Sequence, residues 1–98
     1  MFKKKPTREL ELPPIAISNP EAREVLRVWA APGLPQQLTL RITWKDSGAW
    51  GLLLADVARH AAIAYANEGR DPVEVLARIR QLLEAEFAKP TDTLAQPS

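Results

Sequence analysis

The stretch from residue 38 to residue 60 constrains the fold most, because an alternating segment there leads through a short polar turn into a long alanine-rich segment. Leu38–Lys45 alternates apolar and polar side chains without interruption, and this period of two predicts a half-buried β-strand. Asp46 and Ser47 follow, and either can cap a helix that begins near residues 48–49. The stretch therefore predicts a small α+β domain.

A second strand is predicted upstream, over residues 24–31, where β-branched and aromatic residues are frequent. The segment Pro32-Gly33-Leu34-Pro35 separates the two strands and suits a chain reversal, so we expect an antiparallel hairpin. The strand period then divides the side chains between two faces. The inner, apolar face is predicted to hold Leu26, Val28, Ala30, Leu38, Leu40, Ile42 and Trp44. The outer face is predicted to hold Arg23, Val25, Arg27, Trp29, Thr39, Arg41, Thr43 and Lys45.

Two helices are predicted after the hairpin. The first runs to about Glu68 and stops at Gly69, a residue suited to the position after a helix. The second begins after Asp71, with proline at its first position, and ends at Lys89-Pro90. Two ion pairs four residues apart are expected on the exposed side of the second helix, namely Glu74–Arg78 and Arg80–Glu84. Trp44 and Trp50 are expected to hold the first helix against the corner of the sheet.

The predicted fold is an antiparallel β-hairpin followed by two α-helices (ββαα), with the hairpin packed on the helices. A chain of 98 residues forms one small domain, which we place at residues 20–89. Residues 1–19, which are basic and contain prolines, and residues 90–98 are predicted to be flexible tails. An isolated two-stranded sheet is barely stable in water, so a homodimer is predicted, formed by strand edges or by helix contacts.

Composition excludes several classes of site. The chain has no cysteine and one histidine, which excludes disulfides and thiolate metal sites, and no ligand spacing for a metal is present. No glycine-rich phosphate loop occurs, so no cofactor is predicted. The basic start is not followed by an apolar signal region, and no apolar run is long enough to span a bilayer. We therefore expect a cytoplasmic protein with no membrane partner.

The pair Asp56 and His60 is the one candidate for catalysis. The two residues are four positions apart on the first helix, so a carboxylate could orient an imidazole base. The alternative is a polar pair on the helix surface. Because no serine or cysteine lies in a nucleophile motif, we predict no catalytic residue and interpret the chain as non-enzymatic.

The outer face of the hairpin is the main candidate for binding. Basic groups surround one tryptophan there, and the proposed surface consists of Arg23, Arg27, Trp29, Arg41 and Lys45. Tryptophan and arginine are favoured anchors of protein interfaces, so a homodimer contact or another protein partner is the first interpretation. A solvated face with an arginine over the Trp29 ring is the second. Single-stranded nucleic acid, bound by phosphate attraction and base stacking, is the third.

Parts of the sequence are similar to a known family. The residues that carry the similarity are Leu26-Arg27-Val28-Trp29, Trp44-Lys45-Asp46, the segment from Ala49 to His60, and Ala64-Tyr65. They resemble a family of short bacterial proteins that is catalogued as a domain of unknown function, although proline often follows the aspartate in that family where this chain has Ser47. The resemblance implies a bacterial cytoplasmic domain and brings no activity, cofactor or catalytic residue with it.

Overall fold

The computed structural model describes residues 8–90, and the fold is α+β. A short helix α1 (Pro14–Ser18) precedes the strands β1 (Leu26–Trp29) and β2 (Gln37–Leu40), and the helices α2 (Gly48–Ala66) and α3 (Pro72–Ala88) follow. The predicted order of a hairpin followed by two helices is confirmed. Helix α1 lies in a segment for which the sequence predicted no element. The predicted tails fall partly outside the described residues, since residues 1–7 and 91–98 are not among them.

The hairpin has the predicted register. β1 and β2 are antiparallel, with Leu26 opposite Leu40 and Val28 opposite Leu38 on one face. Arg27 and Trp29 lie on the other face, opposite Thr39 and Gln37. Both strands are shorter than predicted, at four residues each. One further backbone bond, from Arg41 N–H to the Val25 carbonyl at 2.9 Å, continues the pairing beyond the strand ends.

Polar side chains and a glycine define the ends of α2. The Asp46 carboxylate accepts a 2.8 Å hydrogen bond from the Gly48 N–H, whereas the Ser47 side chain makes no capping bond. At the other end Gly69 has a φ of +92°, which glycine adopts without strain. The Gly69 and Arg70 amides donate 3.0 Å bonds to the carbonyls of Ala66 and Tyr65, and this pair of bonds is a Schellman motif. The prediction that Gly69 stops the helix is confirmed.

Helix α3 begins as predicted. The Asp71 carboxylate accepts a 2.9 Å bond from the Val73 N–H, and Pro72 occupies the first turn. Of the two predicted ion pairs, Arg80–Glu84 is present at 3.5 Å. The predicted Glu74–Arg78 pair is wrong, because the Arg78 guanidinium donates instead to the Gln81 amide oxygen at 2.8 Å.

The two hairpins of the chain, one of strands and one of helices, do not pack on each other. Within residues 8–90 the pairs of elements whose Cα atoms approach within 8 Å are β1 with β2 and α2 with α3. The prediction that the sheet packs on its own helices is therefore wrong. Trp44, in the connection between them, contacts Trp50 of α2 edge to face, with ring centroids 5.7 Å apart and planes at 74°. The two indoles thus contact each other, whereas the prediction that they hold α2 against the corner of the sheet is wrong, because the strands and the helices do not approach.

Very little apolar surface is buried within one chain. The buried core of the described residues is Ala62 of α2, 4% exposed, and Val75 of α3, 6% exposed. Large apolar side chains of both the hairpin and the helices are therefore in contact with solvent.

Candidate functional site

The outer face of the hairpin holds an ion-pair cluster centred on Arg27. Its guanidinium makes a bidentate contact with the Glu24 carboxylate, donating one hydrogen bond from Nε at 3.1 Å and one from Nη2 at 3.0 Å. A second carboxylate, that of Glu9, lies 3.1 Å from Nη1. The hydrogen bond and the charge of Glu24, with a smaller contribution from Glu9, raise the pKa of Arg27 above its ordinary value. Two acidic neighbours thus neutralise the central cation of the predicted binding surface.

Trp29 lies on the same face and is half-buried. It lines a cavity of about 390 Å³ between β1 and the segment 8–13. Residues of both faces of β1 line this cavity together with residues 8–13, so the segment 8–13 lies beside β1. The indole is half-buried next to the chain's own N-terminal segment, and it is not a fully open stacking platform.

The other three members of the predicted surface form no ion pair with this cluster, although Arg41 lines a depression together with Glu24 and Arg27. The Arg23 guanidinium donates to the Ala22 carbonyl at 3.1 Å and to the Pro20 carbonyl at 3.4 Å. Arg41 and Lys45 are exposed, and no ion pair within residues 8–90 involves either side chain. The sheet register places Arg27, Trp29 and Arg41 on one side, but that side is electrostatically mixed. Binding of a partner there stays a prediction.

The opposite face of the hairpin is apolar, and much of it is in contact with solvent. Leu26 and Leu38 are half-buried, and Val28 and Leu40 are each 50% exposed. The next apolar residue of the same alternating set, Ile42, is 81% exposed. The sequence predicted these residues to be the inner face, and no helix of the described chain covers them. The sequence therefore predicted correctly which residues share this face, whereas the prediction that the chain's own helices cover it is wrong.

Asp56 and His60 lie on the surface of α2. His60 Nδ1 donates to the Asp56 backbone carbonyl at 2.8 Å and is 3.6 Å from the Asp56 carboxylate. The two side chains are 75% and 63% exposed. Neither residue lines the cavity between β1 and segment 8–13, nor the two open depressions on α3 and on the hairpin. The geometry is that of a helix-surface polar pair.

Residues 8–90 contain no group of three or more His, Cys, Asp or Glu side chains placed to hold a metal ion. None of the helices in this part of the chain combines the length and the apolar character needed to cross a membrane.

Comparison with known proteins gives a family and a structural relative. Residues 9–91 match the family described as "Domain of unknown function (DUF5076)". The chain is also similar to the solved structure of a protein from the photosynthetic bacterium Rhodopseudomonas palustrus CGA009. That protein is described as a "putative pyruvate dehydrogenase". The two chains are 39% identical, the TM-score is 0.72, and the match covers 94% of this chain and 92% of the other. No protein of curated function matches significantly.

Proposed function

We propose that this chain, which belongs to the DUF5076 family of unknown function, is a non-enzymatic assembly module that works as a homodimer. The observation that carries the proposal is the uncovered apolar face of the hairpin. Leu26, Val28, Leu38 and Leu40 share that face, and the chain's own helices do not approach the two strands. A two-stranded sheet with an open apolar face is unstable in water, so a second surface must cover that face.

The helices also expose apolar side chains that another surface would have to cover. Several large apolar side chains of α2 and α3 are at least 45% exposed, namely Leu52, Leu54, Val57, Ile63, Val73, Leu82, Leu83 and Phe87. Together with the hairpin face they leave a large apolar surface of residues 8–90 in contact with solvent. Obligate dimers have strongly apolar interfaces. A second copy of the chain therefore matches the character of the exposed surface.

The non-enzymatic part of the proposal rests on the surroundings of the candidate residues. A general base acts on a substrate held within hydrogen-bond reach, and His60 lies on an exposed helix surface with its Nδ1 bonded to a backbone carbonyl. The enzyme name printed for the R. palustrus relative belongs to that protein, and no site described above supplies a reason to extend it. The absence of cysteine from the sequence supports a location in the reducing cytoplasm.

The mass of the full chain in solution tests this proposal. Light scattering coupled to size exclusion, over concentrations from nanomolar to high micromolar, is expected to give twice the 10.9 kDa of the chain. A lower mass is expected only on dilution, as mass action requires. A chain that remains a folded monomer at high micromolar concentration would refute the proposal.

A further inference from the structure

We propose that the free edge of β2 pairs antiparallel with the β2 edge of a second copy, which joins the two hairpins into one four-stranded sheet. This inference rests on the proposed homodimer and specifies its geometry. It follows from a difference between the two edges of the hairpin. The segment 8–13 lies beside β1, since Glu9 binds Arg27 at 3.1 Å and residues 8–13 line one cavity together with β1. No element of the described chain other than β1 comes within 8 Å of β2.

The register shows which amides β2 presents at its free edge. The bond from Arg41 N–H to the Val25 carbonyl identifies these two residues as a hydrogen-bonded pair. Such pairs alternate with pairs whose amides point away from the partner strand. Residues 37 and 39 therefore bond towards β1, and the amides and carbonyls of Leu38 and Leu40 point outwards. Within residues 8–90 no turn or loop bond takes up these outward groups.

Nothing within β2 protects this edge. Natural edge strands are usually blocked by lysine, proline, a bulge or a covering segment, and the strand reads Gln37-Leu38-Thr39-Leu40. The side chains of the two residues with outward amides are on the apolar face. Edge pairing would therefore satisfy the free amides and join the apolar faces of both copies into one larger face. It does not by itself bury that face, which the exposed helices of the partner copy would have to cover.

A second copy fits this edge because antiparallel pairing of identical strands has two-fold symmetry. With the axis at Thr39, Leu38 of one copy is opposite Leu40 of the other, and all the outward groups of β2 are used. The two Thr39 residues then form a non-hydrogen-bonded pair, with Cα atoms about 4.5 Å apart. That separation lies within the range that a disulfide spans, about 4.4–6.8 Å.

The natural lack of cysteine makes a cross-linking test direct. The full-length variant Thr39→Cys is expected to form a covalent dimer within minutes of mild oxidation, and reduction should return it to monomer on a denaturing gel. Thr43→Cys is the matched control, since Thr43 is also exposed and four residues further from the axis. At about 3.3 Å per residue its two copies would be roughly 26 Å apart if the strand direction continued, so no rapid cross-link is expected.

The outcomes separate this inference from the proposed function. Rapid cross-linking at residue 39 and not at residue 43 would support the edge-paired sheet. A wild-type chain that is dimeric by light scattering, with no cross-link at residue 39, would overturn the edge pairing and leave the homodimer standing. Equal cross-linking at both positions would also overturn it, because that result indicates random collision. A monomeric wild-type chain would refute both proposals.

Discussion

Replacing Val28 by lysine is the sharpest test of the apolar face. Val28 is 50% exposed in the single chain, so about half of its burial free energy is still available to a partner. Complete burial of such a side chain contributes about 1.5–3 kcal/mol, which leaves about 0.8–1.5 kcal/mol per copy. Both copies lose this contribution in the variant. Val28→Lys should therefore weaken the dimer by about 1.5–3 kcal/mol, or roughly 10- to 100-fold in its dissociation constant, before any cost of desolvating the ammonium.

Sedimentation equilibrium of the full-length variant measures this change. Thr43→Lys is the control, because it adds the same charge on the opposite side of the hairpin, at a position that is already exposed. The control is expected to keep the wild-type dissociation constant within about threefold, and both variants should keep the helical circular dichroism of the wild type. A Val28→Lys chain that dimerises as tightly as the control would show that this face is not in the interface.

Three further predictions concern stability and ligand choice. Gly69→Ala should lower the free energy of unfolding by about 1–2 kcal/mol, because alanine is strained in the left-handed region. Gly51→Ala, inside α2 and equally free of neighbouring atoms, should raise the free energy of unfolding by about 0.5–1 kcal/mol; urea midpoints that shift in the same direction would contradict this reasoning. Asp71→Ala should cost about 1 kcal/mol through loss of the cap on α3, and an unchanged urea midpoint would show that the cap contributes nothing. Single-stranded oligonucleotides at low salt should leave the tryptophan fluorescence unchanged, since Arg27 is already paired; salt-sensitive quenching would instead favour nucleic-acid binding by the outer face.

Local features of the fold could be predicted because they depend on residues close in sequence or on the strand period. The alternation of residues 38–45 was enough to place Leu38 and Leu40 on one face and Thr39 on the other. The caps at Asp71 and Gly69 were predictable for the same reason, since each is a bond between a side chain or amide and a backbone group a few residues away.

The surroundings of each face could not be predicted in this way. A hydrophobic period shows which side chains must leave water, and it carries no information on whether the same chain or another one covers them. The sequence therefore led to a sheet packed on its own helices, which the structure does not form. The same limit applies to Arg27, whose partner Glu9 lies far away in sequence, in a segment with no regular structure of its own. A pattern of basic residues does not reveal a carboxylate that neutralises it.

The edge-to-face packing of Trp44 and Trp50 has a consequence for association. Trp44 lies within the connection between the strand pair and the helix pair, and Trp50 lies in α2, so their contact restricts the part of the connection next to the helix. A segment that is already restricted loses less conformational entropy if a second molecule orders it further. The tryptophan pair thus lowers the entropic cost of any association that orders this connection, although it lies outside both strands.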